Sequence, residues 1–211
     1  MTVPSPEMKH WIVRGIAAIC FSSIIALMIG PNLLALAIPI FRWELQQLDD
    51  SYRLDSLTLT KHDIGARLIL NVGLVRSKLV GKQVIVPDRL GRGTAKVSIL
   101  CGPLLFPWLF AWSFLLSVPA LSLSKRLTSI GMATLLIVFN SLMDAPLIFL
   151  AELEDMFWSV HHVEENSLLI IYREFLDGGG RIAIGLWIGW LGLTMVTGYS
   201  NFALRHKTDT Q

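Results

Sequence analysis

Four long stretches of this chain carry almost no charge: Gly15 to Phe41, Val97 to Leu123, Leu127 to Ala151 and Arg181 to Leu204. About 20 residues at 1.5 Å each cross a 30 Å hydrocarbon core, so each stretch is long enough for a transmembrane helix. The rest of the chain agrees: 53% of the 211 residues are hydrophobic and 16% are charged, against about 25% charged in soluble domains. The expected fold is an α-helical polytopic membrane protein of about four transmembrane helices. A net charge of +2 without a basic, aromatic-interleaved cluster gives no footprint for nucleic acid.

The first stretch follows Lys9 and Arg14 and contains Ala35-Leu36-Ala37, which mimics a processing site. The apolar run before that site exceeds the usual signal-peptide core of about 7–15 residues. It therefore reads as an uncleaved signal-anchor, with a kink expected at Gly30-Pro31. Lys9 and Arg14, Lys125-Arg126, and Arg205 and Lys207 flank the spans so that all three groups share one side in a four-span protein. By the excess of cations on cytoplasmic flanks, both termini are expected to be cytoplasmic.

Between the first two spans the pattern changes. SLTLT (56–60), ARLILNV (66–72), KQVIV (82–86) and TAKVS (94–98) alternate apolar and polar residues, with glycines between them. Period-two alternation predicts half-buried strands, here a small antiparallel sheet of about four strands outside the membrane between helices 1 and 2. In the acidic segment 152–180, SLLIIYREF carries apolar residues at helical spacing ahead of Gly178-Gly179-Gly180. This predicts a short amphipathic helix on the bilayer surface or capping the bundle, ended by the glycines. The chain thus divides into 1–41 (N-terminal segment and helix 1), 42–96 (extracytoplasmic β-rich segment), 97–151 (helices 2 and 3), 152–180 (amphipathic loop) and 181–211 (helix 4 and cytoplasmic tail).

FNSLMDAPLIF (139–149) places Asn140 and Asp144 one turn apart in the third stretch, with Pro146 two residues on. Asp144 lies about 27 Å along a helix counted from Leu127, near the outer boundary, where a carboxylate costs less than at the midplane. Asp followed by Pro suits a helix N-cap. The third span is therefore expected to end near Met143, with a new helix from Ala145 and Asn140 as an interhelical hydrogen-bonding group. The alternative is a small transporter with Asn140 and Asp144 in its path.

Candidates for chemistry are few. His161 and His162 are adjacent, so on a helix they diverge instead of sharing a face, and with Glu164 and Glu165 they lack a third strong metal ligand. No metal and no cofactor is assigned. Cys20 and Cys101 both lie in apolar surroundings and form no disulfide framework. Cys101, at the start of the second stretch, is the candidate nucleophile of an alternative reading: a membrane cysteine transpeptidase or peptidase with His161 or His162 as base and Arg173 nearby. The order Cys101, His161, Arg173 differs from that of exosortase-type sorting transpeptidases, where the arginine stands between cysteine and histidine.

Several features together resemble exosortase H-associated membrane proteins of bacteria. They are the long first span (15–41), the strand-rich segment, re-entry through SILCGPLLFPWLFAWSFLL, the polar break FNSLMDAPLIF and a last span after an amphipathic stretch. The resemblance is one of element order over most of the chain. It implies a non-enzymatic accessory or assembly subunit in exosortase-linked protein sorting or exopolysaccharide export, partnered by the bilayer and by another membrane protein such as a sorting transpeptidase. It brings no catalytic residues with it.

Overall fold

The structure, a computed structural model, describes residues 6–62, 65–80, 83–87, 94–119, 121–160 and 167–208. Its elements are α1 (Pro6–Leu48), β1 (Tyr52–His62), β2 (Gly65–Leu74), β3 (Lys78–Val80), β4 (Gln83–Ile85), β5 (Thr94–Leu100), α2 (Cys101–Leu104), α3 (Phe106–Ser117), α4 (Leu123–Val160), α5 (Leu168–Phe175), a π-type turn (Leu176–Gly180) and α6 (Arg181–Thr208). Three stretches, His10–Leu48, Leu123–Val160 and Leu168–Gly198, are long and apolar enough to cross a membrane. The chain forms two compact units: a helical unit (Met1–Met28, Leu105–Phe139, Arg181–Gln211) and a sheet unit (Ile29–Leu104, Asn140–Gly180).

The helical unit is built on close backbone approach. Gly185 and Gly189 of α6 face α3, where an added Cβ would stand 2.8 Å from the Pro107 carbonyl oxygen and 3.1 Å from that of Ala111. Gly192 faces α4, 2.9 Å from the Ser129 carbonyl oxygen. Small residues at such spacing let apolar helices pack by dispersion where hydrophobic burial gains little. The Trp112 indole N–H donates to Thr134 Oγ1 of α4 at 3.1 Å. At the C-terminal end of α3, Arg14 Nη2 and Arg126 Nη2 donate to the Val118 carbonyl at 3.3 and 2.8 Å. Helix C-termini leave carbonyls unpaired and attract cations, which brings two arginines far apart in sequence to one carbonyl.

The second apolar stretch is not one long helix. Its first residues belong to β5, where Val97 and Ile99 are buried while Lys96 and Ser98 are exposed. The apolar helix that follows, α3, has 12 residues, about 18 Å. Pairing of Val97 with Leu70 and of Ile99 with Leu68 sets the strand by period-two burial before the helix can start.

The sheet unit holds a three-stranded antiparallel sheet in the order β1-β2-β5 and a separate two-stranded pair, β3 with β4. The expected single sheet of about four strands is thus two smaller ones: β3 and β4, of three residues each, pair with each other, and the chain returns as β5 to pair with β2. One face of the larger sheet carries Leu57, Leu68, Leu70, Val72, Val97 and Ile99, all buried. Leu45 from the end of α1 and Leu150 and Leu153 of α4 meet Leu70 and Val72 around a void of only ≈ 10 Å³.

The expected break at Asp144 is absent: α4 runs unbroken from Leu123 to Val160 with Pro146 inside it. A proline inside a helix costs about 3 kcal/mol. Ile148, Phe149, Leu150 and Leu153 are each 6% exposed or less, and burying such a side chain contributes about 1.5–3 kcal/mol. Four of them outweigh the proline, so the helix continues. The amphipathic helix forms as α5, N-capped by Ser167, whose Oγ accepts from the Ile170 N–H at 3.2 Å. The glycines that follow redirect the chain: Gly179 has φ 114°, a conformation that suits glycine, and α6 begins two residues later.

The glycine contacts make a clear expectation. Gly185→Ala should destabilise the protein in detergent micelles by roughly 1–3 kcal/mol, since the neighbour that must yield is backbone. Gly131→Ala, in open space on α4, should be neutral or stabilising by up to about 1 kcal/mol. Thermal unfolding followed by circular dichroism compares the two, and equal effects would contradict the packing.

Candidate functional site

The sheet unit concentrates its polar chemistry around Lys78, at the start of β3. Its ammonium donates to Asp49 Oδ2 at 2.7 Å and to the Tyr52 hydroxyl at 3.2 Å, and stands 3.8 Å from Glu154 Oε1 of α4. It also lies 4.6 Å from the centre of the Tyr52 ring, a cation–π distance. Tyr52 in turn stacks on Phe157 of α4, ring centres 6.1 Å apart. One lysine therefore joins the α1–β1 turn, the sheet and α4. The turn is fixed locally as well: the Ser51 N–H donates to Asp49 Oδ1 at 2.9 Å, the Val75 N–H to the Ser51 carbonyl at 2.9 Å, and Arg76 pairs with Asp50.

Burial acts first on Asp49 and would push its carboxyl up. The hydrogen bonds from Lys78 and Ser51 outweigh it, and the carboxyl lies below its ordinary value. Burial would likewise pull the Lys78 ammonium down, and the hydrogen bond to Asp49 with the neighbouring Tyr52 leaves it above its ordinary value. Both groups are charged at neutral pH.

A second set of contacts ties α5 to α4. Tyr172 donates to Asp144 Oδ1 at 2.8 Å, and Arg173 Nη1 reaches Asp155 Oδ2 at 2.9 Å and Glu152 Oε1 at 3.3 Å. Asp144, 3% exposed, is thus an acceptor inside a continuous helix and not a helix cap. A buried carboxylate needs a donor, and Tyr172 supplies one from 28 residues along the chain. Asn140 lies one turn earlier on α4, half-buried.

Cys101 stands in α2, directly after β5 in the chain, outside the three helices long and apolar enough to cross a membrane. It is 2% exposed. Burial pushes its thiol up to about 11, against a smaller opposing effect of a hydrogen bond from the Leu68 backbone. The thiol is protonated at neutral pH, whereas nucleophilic cysteines have depressed values. Arg173 is engaged by Asp155 and Glu152. His161 and His162 lie outside the described residues. Among the described residues no three His, Cys, Asp or Glu side chains are placed to hold a metal ion.

Beside the Lys78 cluster opens a cleft of ≈ 340 Å³, within the size range of ligand pockets. Its floor includes Tyr52, Val72, Met156 and Phe157, and its sides are Ile85–Pro87 and Thr94–Lys96. Sequence reasoning missed both this cleft and Lys78. One local signal was present: Asp49 and Asp50 follow the C-terminus of α1, where the helix dipole disfavours anions, so two carboxylates there call for cations from elsewhere. No family model, curated protein or solved structure matches this chain.

Two expectations follow from the charges. A depressed Asp49 contributes stability above the ordinary carboxylate value, about 3.9, and loses it as pH falls through its folded value. A raised Lys78 contributes below its ordinary value, about 10.4, and loses it as pH rises through its folded value. Lys78→Met should therefore lower stability by on the order of 1–3 kcal/mol between about pH 4 and 10, with the difference shrinking on both sides in a thermal-unfolding series. For Cys101, a pKa of about 11 leaves roughly one thiol in a thousand ionised at pH 8. In a Cys20→Ser background, maleimide labelling should be slow and rise about tenfold per pH unit up to pH 10. Fast labelling with no pH dependence near neutrality would contradict the buried thiol.

Proposed function

We propose that this protein is a non-enzymatic accessory or assembly subunit of a bacterial inner-membrane complex, of the exosortase-linked kind that its order of elements resembles. The observation that carries this reading is the sheet unit itself. Lys78 and Arg173 join the turn after α1, the strands, α4 and α5, while a cleft lined mainly by apolar side chains opens beside Lys78. Such a unit offers a preformed surface to a partner, and preformed surfaces bind with less ordering cost. The low acidity of the Cys101 thiol favours this reading over a cysteine transpeptidase.

In this reading α3 is the fourth crossing, beside the three longer helices, and its shortness is accommodated by local thinning of the bilayer. Both termini are then cytoplasmic. The convergence of Arg14 and Arg126 on one carbonyl supports placing the first helix's basic flank and the α3–α4 turn on one side, where cations accumulate. The partner is a second membrane protein, such as a sorting transpeptidase.

Blue-native electrophoresis of the tagged chain from its own membranes, combined with a deletion strain scored for surface-protein sorting, tests the proposal. The chain should migrate in a complex with a second membrane protein, and Cys101→Ser should restore sorting to the deletion strain as fully as the wild type does. A chain that migrates alone would overturn the accessory reading. Loss of sorting in a Cys101→Ser protein that still enters the complex would do so too, in favour of an enzyme.

A further inference from the structure

We infer that α5 lies in the plane of the membrane surface, with one side clamped to α4 and the strip Leu168, Ile171 and Phe175 seated in the acyl boundary of the bilayer. The inference does not depend on the accessory reading: it needs only that α4 crosses a membrane.

α4 itself marks where the hydrocarbon ends. Its exposed large apolar side chains run from Leu123 to Met143, about 30 Å of helix and the thickness of a hydrocarbon core. The change after Met143 is abrupt. No residue from Asp144 to Trp158 is exposed, and this stretch carries Asp144, Glu152, Glu154 and Asp155. The bilayer boundary therefore falls at the turn that holds Met143 and Asp144, and the sheathed part of α4 lies beyond it.

α5 is fastened across α4 at this level. Tyr172 and Arg173 are neighbours in sequence, about 100° apart around their helix. Tyr172 bonds to Asp144 at 2.8 Å, whereas Arg173 reaches Asp155 at 2.9 Å, about 16 Å farther along α4. Side chains of one helix lean toward its N-terminus, so an α5 running along α4 would send both the same way. An α5 that crosses α4 sends them to opposite ends. Its Tyr172 side then faces back toward Met143, and its Arg173 side faces away from the membrane.

The exposed apolar residues fall on the side that faces the membrane. Leu168 stands four residues before Tyr172 and Phe175 three after it, so both share its side of the helix. Ile171 joins the strip, three residues from Leu168 and four from Phe175. These side chains are 85%, 55% and 49% exposed for Leu168, Phe175 and Ile171. Glu174, exposed as well, lies on the Arg173 side, one turn after the buried Ile170. Apolar residues toward the acyl chains and charges toward water make the division of an interfacial helix.

α5 is not the start of the α6 crossing. Gly179, at φ 114°, separates the two, and α6 alone, with 28 residues, is about 42 Å long, more than a crossing needs. Of the surfaces that could cover the strip, the bilayer is the one whose boundary on α4 already meets it, because Tyr172 ties the strip to the residue next after Met143. Seated there, α5 binds the sheet unit to the membrane surface.

The test uses the full-length chain in phosphatidylcholine vesicles, spin-labelled in turn at Leu168→Cys, Ile171→Cys and Glu174→Cys, each in a Cys20→Ser background. The signal of that background alone accounts for Cys101. Electron paramagnetic resonance compares collisions with oxygen, which concentrates in the bilayer, and with a water-soluble nickel chelate. The labels at Leu168 and Ile171 should meet oxygen more often, at a depth of about 5–10 Å into the headgroup and acyl boundary. At Glu174 the order should reverse. Nickel-dominated collisions at all three positions would put the strip in water, free for a partner protein, and overturn the inference. Few collisions with either reagent at Leu168 and Ile171 would mean that protein covers the strip, a second copy included, and would overturn it too. Oxygen-dominated collisions at Glu174 as well would make α5 part of a transmembrane span, against the inference. Thermal unfolding of each labelled chain identifies a position that damages the fold, and Leu168 and Ile171 sample the strip independently.

Discussion

A helix of 38 residues such as α4 is about 57 Å long, and one of 43 such as α1 about 64 Å. The hydrocarbon core of a bilayer is about 30 Å. Both helices are longer than a crossing needs, and in the sheet unit their residues support the strands: Leu45 near the end of α1, and Leu150 and Leu153 of α4, meet the apolar face that carries Leu70 and Val72. A sheet with one apolar face buries it by packing against a second layer. The overlong helices supply the second layer it lacks.

The polar contacts follow from that arrangement. Once α4 is continuous and lies along the sheet, its outer residues Glu152, Glu154 and Asp155 bring negative charge to the sheet unit, and Asp144 becomes buried. Each carboxylate removed from water needs compensation. Lys78 meets Glu154 and Asp49, Arg173 meets Asp155 and Glu152, and Tyr172 meets Asp144. These pairs are as much a consequence of the packing as a cause of it. They hold elements in position whose apolar contact has already brought them together.

Among the described residues no strand pairs with the outer side of β1 or of β5, and the cleft beside Lys78 is lined mainly by apolar side chains. The Cys101 thiol, by contrast, is enclosed against β2 and held protonated.

By itself the sequence determined the elements that a local period can encode. Uncharged runs marked the long apolar helices, alternation at 56–60, 66–72 and 94–98 marked strands, and the Leu168–Phe175 spacing marked an amphipathic helix. Hydrophobic period and length are local quantities, so they are visible without a fold. Only the tertiary structure decided where those elements stop and whom they meet. Pro146 looked like a break and is not, because buried side chains on its C-terminal side outweigh its local cost. Val97 looked like the start of a span and is a strand residue, because Leu70 pairs with it. Asp144 looked like a cap and is an acceptor, because Tyr172 arrives from 28 residues away. The Lys78 cluster and the cleft were invisible for the same reason: burial, pairing and charge compensation are relations between distant residues, and no window of sequence contains both partners.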